Sequence, residues 1–485
     1  MKTIKIINAA VFCLWLALIS LLLYKNYTGV PLENKEIIKE AFSKTSNWYD
    51  IYNGTKKLGF AVTTFEKAGD EIIITEKKEL KVFKNGKETL LTEEVRLLTD
   101  TDYTIKSADY SSVFKGEEGI KASGSFEDDA MIFFLESAKH RKTHKVETNK
   151  KIFYHFLTLI PMLKQNMPVP GSFFKVSMLD LASLSINDVK VVLEEIRPVK
   201  IGIDVFNLYK FRAGNTILWL NEKGALIKKE YPSGAIFYSD IESIAKESDD
   251  RALLDYTGLP VLKSNKFIAN PEDLNLLRVK IKDYNFQSKL YENSLTTLKE
   301  NILIIRREAV EELKKKNYIF PYKEEGFNEY LSPDRWVLTD YEPLANTGRV
   351  YAKLHKYDAF SFAEYLNGYL YSLIRTMPGF VLRNSSEIHK SLYGDYLERS
   401  VMFASYARAA GLPTRLIGGL VYRNGYFYFH AWPEVWLHRW VPVDPSLAQF
   451  PADATHIPLK EGTLEDIVSI IDDLKKIEIE VLEAS

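Results

Sequence analysis

Residues 394–413 read GDYLERSVMFASYARAAGLP, and this stretch decides the fold. Asp395 is a residue type that caps helix N-termini, and Glu398 stands three positions on, as in a capping box. Gly411 supplies the left-handed residue that ends a helix, and Pro413 blocks any continuation. The spacing therefore predicts a helix whose first residue is Tyr396, set among backbone N–H groups without intrahelical partners. Upstream, Phe362, Tyr365, Leu366, Tyr369, Leu370 and Leu373 fall on one stripe at helical spacing within 358–376, which predicts an amphipathic helix. Downstream, Arg415–Tyr422 and Tyr426–Leu437 flank Asn424-Gly425, a strong two-residue hairpin signal. A third strand, Trp440–Asp444, ends at Pro445. Helices followed by an antiparallel sheet make this an α+β region.

Strand alternation puts His430, Trp432, Glu434 and Trp436 on one face. A two-residue loop at His438-Arg439 would oppose Pro433 to Asp444 and send the aspartate to the other face. A three-residue loop, Leu437–Arg439, instead opposes Trp436 to Trp440 and brings Asp444 diagonally beside His430. The odd-length loop is expected, with the carboxylate accepting from the imidazole.

These blocks resemble the transglutaminase-like family, which has a papain-like fold. Gly394-Asp395-Tyr396-Leu397-Glu398 looks like the family's entry to its nucleophile helix, and ARAAGLP at 407–413 like its exit. HAWPEVW at 430–436 resembles the histidine strand and WVPVDPS at 440–446 the aspartate strand; DATHI at 453–457 recurs in bacterial members. The resemblance covers 332–485. It implies a thiol nucleophile at 396, with His430 relaying the proton and Asp444 fixing the histidine tautomer. Position 396 holds tyrosine instead. The only cysteine in the 485 residues is Cys13, so no change of register supplies a thiol.

A phenol with a pKa near ~10 is a weaker nucleophile towards an amide than a thiolate, and it is bulkier. Ser400, one turn further into the helix, does not reach the same point. The implied reading is a pseudoenzyme that binds a peptide, protein or envelope polymer as a scaffold. The alternative is an amide or peptide hydrolase, or an acyltransferase, working without cysteine around Tyr396, His430 and Asp444. If position 396 still faces His430, the phenol is expected to hydrogen-bond the imidazole.

The rest of the chain sets the context. With 64 basic and 65 acidic residues, the net charge of -1 implies no nucleic-acid partner. Hydrophobic residues at 46% exclude global disorder. Without thiols after Cys13, disulfides and cysteine-ligated zinc are excluded from the remainder. No cofactor or metal is expected. His140 and His144 are spaced for a metal on a helix, but four cations surround them in AKHRKTHK.

Residues 6–24, IINAAVFCLWLALISLLLY, carry no charge, and about 20 residues span a bilayer core. Lys2 and Lys5 precede this run and no small-x-small exit follows it. A single-pass signal anchor over 1–25 is expected, with the bulk of the chain extracytoplasmic (periplasmic). Hairpin signals such as Asn85-Gly86 predict an antiparallel β-rich domain over 40–262, with Phe153–Met162 as a helix across it. Its opening, WYDIYNGTKKLGFAVTTFE, looks like the β-rich domain that precedes transglutaminase-like domains in bacterial envelope proteins. A connector with short strands is expected over 263–331, then the transglutaminase-like domain over 332–485.

Overall fold

A computed structural model describes residues 45–485 apart from 85–86, 138–139, 155–168, 182, 248–251, 287–289, 291–294, 316, 322–325 and 378. The expected anchor at 1–25 lies outside the described residues, as does most of the helix expected at Phe153–Met162. Ile152–Phe153, at its start, is a short strand. Among the described residues no helix is long and apolar enough to cross a membrane.

The chain divides into two compact units: one ends at Arg197 and resumes over Asn207–Arg251, and the other comprises Pro198–Phe206 and Ala252–Ser485. The first unit is built on a fifteen-stranded sheet. Consecutive strands are neighbours except His140–Glu147 and Ile152–Phe153, which form its two edges; Thr45–Asn53 also pairs antiparallel with Ala235–Asp240, and Ile152–Phe153 runs parallel to Phe173–Asp180. Glu71–Lys84 is one continuous strand. The ladder pairs Lys84 with Lys87. His140 and His144 lie on a strand, His140–Glu147, which removes the helical spacing that would bring them together. The sheet curls: one core gathers Ile72, Val95 and Phe133 with Phe174, Leu193 and Phe211. A cavity of 430 Å³ lies inside, walled by Val95, Met178, Leu179 and Leu218, with Lys78, Glu93 and Tyr154 at its polar side.

In the second unit the helix Tyr396–Ala410 is the central element. All but one of its fifteen residues are buried, so its sequence carries no polar face to read. The helix Glu342–Leu354 crosses it closely enough that a Cβ on Gly348 would lie 2.8 Å from the Tyr406 carbonyl oxygen. Ala359–Leu373, the expected amphipathic helix, starts at an N-cap where Asp358 accepts from the Ser361 N–H. The main sheet runs Val261–Lys263, Tyr426–Trp436, Thr414–Arg423, Ile457–Glu461, with Trp440–Pro442 also paired to Tyr426–Trp436. Asn424 and Gly425 both have positive φ (50° and 87°), the conformation a two-residue hairpin needs.

The stretch expected as a connector contributes to this unit's own sheets. Leu276–Lys282 pairs with Ile302–Arg306 on one side and with the C-terminal strand Glu478–Ala484 on the other. This sheet therefore joins strands from distant parts of the chain.

Candidate functional site

The site is assembled where the helix Tyr396–Ala410 begins. The Asp395 N–H donates to Glu398 Oε2 at 2.8 Å, the reciprocal half of a capping box. Glu398 folds back so tightly that a Cβ on Gly394 would lie 2.4 Å from its own Cβ, which is why glycine stands there. Arg383, 2 % exposed, holds the other Glu398 oxygen at 3.2 Å. The Asp395 carboxylate, expected to cap the helix, accepts at 2.8 Å from the N–H of Gly202.

Tyr396 is the first helical residue and is buried. Its ring centroid lies 4.8 Å from that of His430 and 6.1 Å from that of Phe429. Ser400 ties the helix to the neighbouring strand, donating to the carbonyls of Tyr396 (2.6 Å) and Ala431 (3.1 Å). Among the described residues no hydrogen bond joins the phenol to the imidazole; the rings pack tilted by 51° instead. Burial, then the charges of Asp395 and Glu398, push the phenol well above its usual pKa.

His430 sits opposite Gly419 on the adjacent strand. A Cβ on Gly419 would lie 2.0 Å from the Ile457 carbonyl oxygen, so glycine lets the strand Ile457–Glu461 close over this point. The odd-length loop is present: Trp436 opposes Trp440, and the Leu437 N–H donates to the Arg439 carbonyl at 2.8 Å. Asp444 consequently reaches the histidine, with His430 Nε2 and Asp444 Oδ2 2.7 Å apart.

Asp444 is held by more than His430. Its Oδ1 accepts from the Ser446 N–H (2.8 Å), the Ser446 hydroxyl (2.7 Å) and the Leu447 N–H (3.2 Å). His456 Nε2 reaches the same Oδ2 at 2.9 Å, and His456 Nδ1 faces Asp453 Oδ1 at 3.2 Å. Burial disfavours the Asp444 charge, yet His430 and His456 hold it well below the usual carboxylate range. Asp453 is likewise lowered to about 2 against burial, with His456, Thr455 and Arg423 responsible.

The two histidines divide accordingly. Burial lowers both, but two carboxylates face His456 and raise it to about 9, so it is an imidazolium at neutral pH. Burial and the nearby Lys200 cation outweigh Asp444 at His430 and lower it to about 3. His430 is therefore neutral: Nε2–H donates to Asp444, and Nδ1 carries a lone pair. That Nδ1 is buried and has no hydrogen-bond partner among the described residues.

His430, Asp444 and His456 place three potential metal-ligand atoms within 4.8 Å of one another. Both Nε2 atoms, however, point at one carboxylate oxygen at hydrogen-bond distance, and the other oxygen is filled by Ser446 and Leu447. Protons shared with an ionised carboxylate account for this geometry without an ion.

Tyr396, His430 and Asp444, singled out in the sequence, are thus brought together. Sequence reasoning missed the roles of His456 and Asp453, although DATHI contains both. It also missed Lys200, whose Nζ lies 5.0 Å from the Tyr396 ring centroid; nothing near residue 200 signals it.

Residues 359–445 match the family model described as the transglutaminase-like superfamily. The chain carries a transglutaminase-like domain. Among solved structures, it is similar to the periplasmic domain of TgpA from Pseudomonas aeruginosa, at 16% identity over 42% of this chain and 79% of that one, with a TM-score of 0.24. It is also similar to a β-barrel-like protein of domain family DUF1849 from Brucella abortus, at 11% identity over 41% of this chain and 94% of that one, with a TM-score of 0.31. No curated protein matches this sequence.

Proposed function

We propose that this chain is a membrane-anchored, extracytoplasmic protein whose transglutaminase-like domain does no acyl transfer and serves as a binding or scaffolding module. The reading rests on one observation, that Tyr396 is buried at the head of the helix and beside His430, taken with the resemblance that assigns this position to the family's thiol. Its phenol is held protonated by burial and two carboxylates. The spaces beside it, about 20 and 30 Å³, have room for about one water each and none for an acyl substrate. The anchor part rests on the uncharged run at 6–24 and on Lys2 and Lys5 before it. The ligand class that suits the module is a peptide, protein or envelope polymer.

The unpaired Nδ1 of His430 favours a second reading, hydrolysis by a histidine-activated water. Incubation with glutamine-containing peptides and a primary-amine acceptor separates the two. The expected outcome is neither amine incorporation nor deamidation, and no effect of thiol reagents. Turnover that disappears in His430→Ala would replace the binding reading with the hydrolytic one.

A further inference from the structure

We propose that Tyr396 is the floor of a socket for a primary ammonium group, and that Lys200, carried on Pro198–Phe206, fills it in cis. This deepens the non-catalytic reading above and rests on it.

Pro198–Phe206 belongs to the same compact unit as the helix Tyr396–Ala410, although 193 positions separate Gly202 from Asp395 in sequence. The segment is fixed at two adjoining points of the site. The Gly202 N–H donates to Asp395 Oδ1 at 2.8 Å, and Lys200 Nζ donates to the Gly202 carbonyl at 3.0 Å while lying 5.0 Å from the centre of the Tyr396 ring. Gly202 has φ +59°, and a Cβ there would come within 3.1 Å of Thr376 Cγ2, so this turn needs glycine.

Lys200 is only 6 % exposed. Burying an ammonium group is costly unless it is paired; burial does lower the Lys200 pKa, and three features of the site oppose that cost. The aromatic face attracts a cation, the Gly202 carbonyl accepts one proton, and Asp395 and Asp444 supply opposite charge, countering the effect of burial on the amine. A thiol at 396 would offer no such face. The substitution that removes a nucleophile thus also provides a cation-binding ring, and one change accounts for both. Lys200, Tyr256, Leu259 and Tyr396 line both small voids. Trimming Lys200 therefore adds the space of its own alkylammonium chain to them.

The test uses the full chain with Lys200→Ala and n-butylammonium chloride as probe, with 1-butanol as the uncharged control. The amine should raise the melting temperature of Lys200→Ala by about 3 °C or more at saturating concentration. It should leave the unmodified chain unmoved and lose its advantage over butanol in Lys200→Ala combined with Tyr396→Leu. Equal effects of amine and alcohol, or an amine effect that survives Tyr396→Leu, would overturn the proposal. Should Lys200→Ala not fold, the claim is read in the unmodified chain: the Lys200 ε-methylene resonance should be displaced upfield by the Tyr396 ring. An unshifted resonance, or one unchanged by Tyr396→Leu, would equally overturn it. These readouts report binding alone, so they can fail while acyl transfer remains absent. Conversely, acyl-transfer turnover would refute the non-catalytic reading whatever the amine does.

Discussion

Asp444→Ala should destabilise the second unit by at least about 3–5 kcal/mol, the cost of removing one member of a buried charged pair. The reason is the number of donors that converge on this carboxylate. His430 and His456 share Oδ2, while the Ser446 N–H and hydroxyl and the Leu447 N–H share Oδ1. All are buried, and alanine leaves every one of them without its acceptor. The His456 imidazolium also loses one of its two counter-charges. A domain of ordinary stability has about 5–15 kcal/mol in all, so this loss approaches unfolding. Asp444→Asn keeps the volume and an acceptor oxygen and should cost less. Urea denaturation followed by tryptophan fluorescence checks the order, and an alanine variant within about 1 kcal/mol of the parent would contradict it.

The second large effect is a stability maximum near pH 6.5, produced by the two histidines with opposite signs. His456 is raised in the folded chain to about 9, above the value near ~6.5 of an unfolded histidine. Its contribution is fully present below about pH 6.5 and is lost as pH rises through about 9. His430 is lowered to about 3. The native state excludes its proton, so this contribution is present above about pH 6.5 and is lost as pH falls towards 3. His456→Gln should flatten the alkaline limb of the stability profile and His430→Gln the acid limb. Chemical denaturation repeated across pH reads both limbs; a variant that leaves its own limb unchanged would refute the assigned charge state.

How much of this was legible follows from the range of the interactions. The capping residues around Tyr396 and the Asn424-Gly425 hairpin are local, and the sequence states them directly. Asp444 beside His430 was legible because alternation and loop parity leave only one odd-length solution. Long-range pairings were not. The C-terminal strand Glu478–Ala484 joins Leu276–Lys282, and no periodicity in either segment names its partner, which is why 263–331 read as a connector. The same holds for Lys200 and Gly202, since a glycine turn with one lysine is common on any surface. Asp395 shows how such a contact adds to a local motif: its carboxylate, part of the capping box with Glu398, also accepts from Gly202. The phenol was expected to hydrogen-bond the imidazole, but the two rings pack at a tilt, with no such bond among the described residues.

The central claim is that position 396 is the nucleophile position and that His430 still faces it. The most direct measurement is the thiol pKa in Tyr396→Cys, prepared with Cys13→Ser so that it is the sole thiol, and read from the pH dependence of thiolate absorbance. Comparison with the same chain carrying His430→Ala isolates the imidazole. Losing the imidazole is expected to raise the thiol pKa by about one unit or more, because the open Nδ1 takes the thiol proton and the imidazolium so formed, its Nε2–H still on Asp444, faces the thiolate. A thiol with an ordinary pKa near ~8.5, unmoved by His430→Ala, would contradict it.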